Sequence, residues 1–301
     1  MAEYLSRWSV FRFIMDHSST CFSLGIISDI QYALRKNKGE SYFQDSLGYL
    51  EDAIFCFNNQ GVDAVINLGD LVDSNELQHL GPVMELLESS QSPVINILGN
   101  HDLLGPTDHK EVLSRLNIKE RWGERFRKGN WRVIAIDSTE ISISSGESCE
   151  DLCRERINEL NRINDPCAQI WNGMASSTQM KNIESLLVSA TKEKSRVLII
   201  NHMVAAKGSG SLQHRCWNHE IMTRLLDNSP CVAAHFNGHD HEGGFTTDKI
   251  SGTHYVTFPA ICDSGGKTGA HAIAHFGKDW INIEGWGRVG SRKLSCLTKN
   301  G

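Results

Sequence analysis

What this chain lacks narrows it first. No apolar run approaches the ~20 residues that a membrane-spanning helix needs, so no membrane span is expected. No block of Lys and Arg marks a face for nucleic acid, and the net charge is −6, so nucleic acid is not an expected partner. None of the nine cysteines forms a CxxC pair. The N-terminal run "VFRFIM" is too short and too charged to be the core of a secretory signal. Reduced thiols and a cytoplasmic protein are therefore expected. Internal repeats, low-complexity segments and Pro/Ser linkers are all missing. The sequence divides into a leader at residues 1–20, one domain at 21–290 and a tail at 291–301. A polar helical insertion is expected at about 142–170, where Cys149 and Cys153 lie four apart.

What is present is a series of Val- and Ile-rich runs, each followed by turn residues. "FSLGIIS" leads to Asp29, "DAVINLG" to Asp70, "PVINILG" to Asn100, "RVLIIN" to His202 and "CVAAHFNG" to His239. Runs apolar on both sides read as strands buried on both faces. Helical spacing lies between them. Leu77, Leu80, Met84 and Leu87 share one face, and Phe43, Leu47, Leu50, Ile54 and Phe57 share another. Alternating strands and helices predict an α/β fold with a mostly parallel sheet. After His241 the pattern turns to short alternating segments, which predicts an antiparallel meander and hence a mixed sheet system.

Ligands of α/β sheets bind beyond the carboxyl ends of the strands. Here five strand ends carry metal-capable side chains: Asp29 with Gln31, Asp70, Asn100 with His101, His202, and His239 with His241. A lone Asp in such a place is commonly a helix cap, and a lone His a surface or core residue; the five together point to a metal site. Side chains at i and i+2 leave a strand on one face, so Asp29 and Gln31 are expected to point together. Gly69, Gly99 and Gly238, preceding three of the groups, are expected to let the backbone turn sharply and approach an ion.

The motifs "SDIQ", "GDLVD", "GNHD", "NH" and "GHDH", in this order over roughly residues 22–285, resemble the calcineurin-like metallophosphoesterases. The resemblance implies two packed mixed β-sheets flanked by helices, a four-layer αββα sandwich. It implies two divalent cations. Asp29, Gln31, Asp70 and His241 would hold the first, and Asp70, Asn100, His202 and His239 the second, with Asp70 bridging. His101 would face the substrate, oriented by Asp73; the alternative for Asp73 is a cap on the following helix. Gln31 departs from the family, which mostly has His there. The segments "DIQYA", "CAQIWNG" (residues 167–173), "GHDHEGG" (residues 238–244) and "GWGRV…SR" (residues 285–292) resemble the manganese-dependent ADP-ribose/CDP-alcohol diphosphatases.

Charge explains how Gln31 serves in such a site. Asp29 and Asp70 are the only carboxylates among the seven ligands, so two divalent cations would keep a net positive charge that attracts phosphate. A neutral amide preserves that charge as an imidazole does. Its oxygen suits Mn²⁺ or Mg²⁺, whereas nitrogen suits Zn²⁺ and iron. Mn²⁺ is therefore the preferred cofactor and Mg²⁺ the second. The alternative is that Gln31 only hydrogen-bonds beside the site.

Three functions remain open. The first is a hydrolase cleaving the diphosphate bond of ADP-ribose or of CDP-alcohols such as CDP-choline and CDP-glycerol. The second is a phosphodiesterase or phosphomonoesterase of the same superfamily, and the third a non-catalytic metal-stabilised scaffold. The first implies a small-molecule nucleoside-diphosphate-linked substrate and a monomeric enzyme. Trp171-Asn172 and Trp217-Asn218 read either as a base or ribose pocket or as core. No substrate-binding residue is assigned.

Overall fold

The computed structural model describes residues 21–35, 39, 41–265 and 269–296. The leader at 1–20 lies outside them, as does the end of the tail. Among the described residues, two six-stranded sheets carry the fold. The first runs β14 (Arg292–Ser295), β13 (Trp280–Gly287), β12 (Ala270–Phe276), β1 (Phe22–Ile27), β2 (Ala64–Asn67) and β3 (Val94–Asn96). β1, β2 and β3 pair in parallel, and β12, β13 and β14 add an antiparallel half. β14 thus occupies residues that the sequence suggested were tail. The second sheet runs β10 (Gly244–Thr247), β11 (His254–Thr257), β9 (Val232–Asn237), β8 (Arg196–Ile200), β5 (Trp131–Ala135) and β4 (Gly123–Lys128). Its central pairs are parallel and its two edge pairs antiparallel. β6 (Ile141–Ser142) and β7 (Gly173–Met174) form a separate short pair.

Strand alternation divides the apolar residues between two cores. Leu198 and Ile200 of β8 and Trp131 and Val133 of β5 share one cluster with Leu24 and Ile26 of β1, so the sheets pack face to face. Val197, Ile199 and Ile134 point the other way, onto Ile183 and Leu187 of helix Ser177–Lys192 and Met222 and Leu226 of helix Ser- and Asn-flanked His219–Asn228. On the outer side of the first sheet lies helix Ser46–Gln60. A Cβ on Gly25 of β1 would stand 2.7 Å from the Phe57 ring, so only glycine admits that helix so closely. Phe57 is fully buried, which contributes roughly 1.5–3 kcal/mol. The resulting layers are helix, sheet, sheet, helix, as the resemblance implied.

Two helical expectations need adjusting. In helix Leu77–Glu88 the buried face is His79, Leu80, Val83 and Leu87, and Leu77 at its first position is exposed. Phe43 is buried but precedes helix Ser46–Gln60 rather than belonging to it. The polar stretch near residue 150 does form a helix, Glu150–Arg162. All nine cysteines are free, and among the described residues no helix is long and apolar enough to cross a membrane.

Candidate metal centre and active site

The parallel strands deliver their carboxyl ends to one place. Asp29 follows β1, Asp70 follows β2, Asn100 follows β3, His202 follows β8 and His239 follows β9. The connecting backbone is unusual. Asp29, Gln31, Asp70 and His239 have φ of 50°, 43°, 56° and 67°, a left-handed conformation that L-residues rarely adopt. Each such residue costs about 1–3 kcal/mol, and clusters of them mark functional sites. Asp29 and Gln31 therefore meet through a strained turn past the end of β1, not through strand alternation.

The rest of the turn is held by main-chain hydrogen bonds. The Gln31 N–H donates to the Asp70 carbonyl at 2.9 Å, and the His239 N–H donates to the Asp29 carboxylate at 3.0 Å. Asp102, which the sequence reading did not single out, accepts the N–H groups of Asp70, Leu71 and Gly99 at 2.8–2.9 Å. It is fully buried and fixes the loop that carries Asp70. The glycines act mainly through size. A Cβ on Gly99 would overlap the Asp70 carboxylate, and one on Gly238 would overlap Ser28 and Asp29. Only Gly69 has a positive φ, 99°.

All seven candidate ligands come together. His202 Nε2 lies 3.2 Å from Asp70 Oδ2 and 3.2 Å from Asn100 Oδ1, and His239 Nδ1 lies 3.1 Å from His202 Nε2. The other ring nitrogen of His202 faces the Leu68 carbonyl at 2.8 Å and so carries a hydrogen. In neutral His202 that leaves the Nε2 lone pair facing a carboxylate and an amide oxygen. Acceptors gathered around acceptors call for a cation. On the neighbouring side, His241 Nε2 lies 3.8 Å from Asp29 Oδ1 and 3.2 Å from the Gln31 amide nitrogen. Its Nδ1 is anchored on Asp263 at 2.8 Å. The donor set thus fits two hard or borderline divalent cations.

The electrostatics of the site agree. Burial alone would lower the pKa of His202, but the charge of Asp70 outweighs it and raises the pKa to about 9. For His241, burial is likewise outweighed, here by Asp263 and Asp29, and the pKa again rises to about 9. Burial opposes the ionisation of Asp70, yet His202 and His101 hold its carboxyl well below the usual range. Protons thus fill the cation's role when no metal is bound.

Gln31 needs separate description. Its Nε2 lies 3.2 Å from Asp70 Oδ2, and its Oε1 faces the Cys262 thiol. Ligation through oxygen requires the amide to turn over, an exchange of two atoms of nearly equal size. Asp73 meets the His101 ring, with its carboxylate 3.7 Å from Nδ1. His101 Nδ1 bonds to the main-chain carbonyl of Asp73 at 2.8 Å, while the Asp73 carboxylate pairs with Arg35 at 2.7 Å. Asp73 therefore orients His101 through its backbone. It does not cap the next helix, whose N-cap is Glu76.

A cleft of about 410 Å³ opens on these groups and is lined by Asp70, His101, Trp171, His214 and His241 among others. Asn172 sits beneath it, with Oδ1 2.9 Å from His239 Nε2. Trp217 and Asn218 are buried instead, bonded to the carbonyls of Gln169 and Ala175, so they do not form the pocket. Arg215 is taken up by Asp165 at 3.0 Å.

Metal uptake should displace the protons on His202 and His241, because only the neutral ring can ligate. Both folded-state pKa values lie above the ordinary 6.5, so in the metal-free protein their stabilisation is full below about 6.5 and fades as pH rises through about 9. Metal affinity should rise over that same window. Calorimetric Mn²⁺ titration at pH 7.5 in buffers of different ionisation enthalpy is expected to show proton release, and buffer-independent heats would contradict it.

Comparison with known proteins agrees with this architecture. The family model of the calcineurin-like phosphoesterases matches residues 22–243. A solved structure of a dimetal phosphatase from Danio rerio has the same fold, with a TM-score of 0.84 at 24% identity, covering 92% of this chain and 100% of the other. Curated relatives named manganese-dependent ADP-ribose/CDP-alcohol diphosphatase include one from Danio rerio, 25% identical over 89% of this chain and 96% of its own length. Another, from Arabidopsis thaliana, is 27% identical over 80% and 86%. The matched span runs from β1 past His241 and so contains every strand end described above; the chain belongs to the calcineurin-like phosphoesterase family.

Proposed function

We propose that this protein hydrolyses the diphosphate bond of nucleoside-diphosphate-linked metabolites, ADP-ribose and CDP-alcohols, to a nucleoside monophosphate and a phosphorylated partner. The observation that carries the reading is the convergence of seven candidate ligands beside a cleft that also holds His101, a histidine outside that set. The relatives' names supply the substrate class. In this reading Asp29, Gln31, Asp70 and His241 hold one divalent cation. Asp70, Asn100, His202 and His239 hold the other, with Mn²⁺ preferred and Mg²⁺ accepted. When bound, such a pair supplies an activated water nucleophile and offsets charge on the phosphoryl oxygens.

The chain's own residues do the rest. With only two carboxylates among seven ligands, the site keeps a positive field for the diphosphate. His101 gives its Nδ1–H to the Asp73 carbonyl, so it is the imidazolium form that has an Nε2–H to give to the leaving phosphate oxygen. The Asp263 carboxylate fixes the ring of His241, and Asn172 does the same for His239, as partners behind metal ligands do.

Purified protein with Mn²⁺ should cleave ADP-ribose and CDP-choline well above cyclic AMP and an aryl monoester. Preference for cyclic AMP would favour the phosphodiesterase reading, and for the monoester the monoesterase reading. No hydrolysis of any would favour the scaffold. Gln31→His should fold normally and move the metal optimum from Mn²⁺ toward Zn²⁺ or iron, because nitrogen replaces oxygen. Activity of the metal-stripped protein reconstituted with each ion is the check, and an unchanged preference would place Gln31 outside the ligand set.

A further inference from the structure

His214 is a second histidine outside the ligand set that borders the cleft. Its Nδ1 is held 2.6 Å from Ser211 Oγ and 3.7 Å from Asp240 Oδ2. Asp240 also accepts the Ser211 main-chain N–H and so fixes the turn that sets Ser211 against the ring. Gly210 makes room for it, since a Cβ there would stand 2.9 Å from Asp240 Oδ2. The imidazole of His214 stands at 87° to that of His239, with centroids 5.3 Å apart. Trp171 comes next along the same wall, 6.2 Å from His214. Exposure grows in this order, from 6% at His239 to 24% for the His214 side chain and 39% at Trp171. The wall therefore climbs from a candidate metal ligand, through a polar ring, to an exposed indole.

We propose that His214 is a substrate-binding residue whose Nε2–H donates to the bridge phosphate that is not attacked, with the nucleoside lying outward against Trp171. The proposal rests on the diphosphatase reading above. Ser211 Oγ can donate to Nδ1 or accept from it; the required Nε2–H is present where the serine donates, or where the ring carries both hydrogens. A phosphoryl group held beside His239 has His214 as its neighbour on this wall. The next phosphate outward meets its free nitrogen, and a base beyond that finds an aromatic surface. A substrate with a single small phosphate would not reach His214.

The test compares Mn²⁺-loaded wild type, His214→Ala and His214→Gln. Calorimetry would measure the affinity of each for the non-hydrolysable α,β-methylene ADP and for inorganic phosphate, with ion content and ADP-ribose kinetics measured alongside. Losing a hydrogen bond to a charged group should weaken methylene-ADP binding by roughly 10–100-fold. The loss in ADP-ribose hydrolysis should fall on KM more than on kcat. Phosphate affinity and two ions per chain should persist, and Gln, which keeps a donor near the Nε2 position, should recover part of the loss. Unchanged methylene-ADP affinity in His214→Ala would overturn the proposal. So would a matching loss of phosphate affinity or of an ion, which would mean that His214 only props His239. Wild type that neither binds methylene-ADP nor cleaves ADP-ribose would defeat the diphosphatase reading itself, and this proposal with it.

Discussion

Asp70→Asn is expected to lose more than about 10²-fold in turnover, the scale for removing one group that stabilises the transition state, and to lose at least one ion. Asp70 is the junction of the site. One oxygen accepts the His101 N–H at 2.8 Å; the other lies 3.2 Å from both His202 Nε2 and Gln31 Nε2. An amide in its place halves the carboxylate charge among the seven candidate ligands. It also sets an NH₂ group against either the His101 N–H or the atoms that face the cation. The fold should survive, because asparagine tolerates the left-handed backbone that Asp70 adopts. Elemental analysis together with the rate on ADP-ribose checks this. Two ions per chain in the variant would contradict the bridging role.

His101→Ala should behave differently, keeping both ions while losing rate, in the range of ~10²–10⁴-fold for a positioned general acid. The ring lies outside the candidate ligand set and lines the cleft, and the hydrogen bond that His101 gives Asp70 comes from its main-chain N–H, a bond that alanine preserves. The size of the loss should depend on the leaving group. A phosphate departs as a stable anion and needs little help, whereas an alkoxide needs the proton. Parallel rates on ADP-ribose and on an alkyl phosphodiester measure the difference. Equal losses on the two would refute leaving-group protonation.

Much of this candidate site could be read in the sequence because five of its seven candidate ligands follow an apolar run. Strand ends of a parallel sheet are fixed by the hydrophobic pattern, so Asp29, Asp70, Asn100, His202 and His239 were placed by counting residues. The residues behind them were harder to find. Asn172 and Asp263 lie in loops and His214 ends a 3₁₀ turn, Leu212–His214; their paths depend on what they pack against, and nothing in their local spacing distinguishes them. Asn172 stood in "CAQIWNG" and beside Trp171 as a candidate pocket residue, not as a partner of His239. Asp102 stood in the "GNHD" motif, but three N–H groups converging on it is a tertiary fact. The Trp217 indole read either as a pocket wall or as core and proved to be core, since an aromatic residue beside a polar one does not reveal which side faces solvent. Leu77 matched the helical period but sits at the first turn of its helix, where the period no longer determines burial.

The most direct measurement is hydrolysis of ADP-ribose by the Mn²⁺-loaded protein in ¹⁸O-water, with the products resolved by mass. The account predicts AMP and ribose 5-phosphate as the only products, with a single label on one of the two phosphates and AMP itself untouched. Inorganic phosphate released from AMP at a comparable rate, or label in neither phosphate, would contradict it.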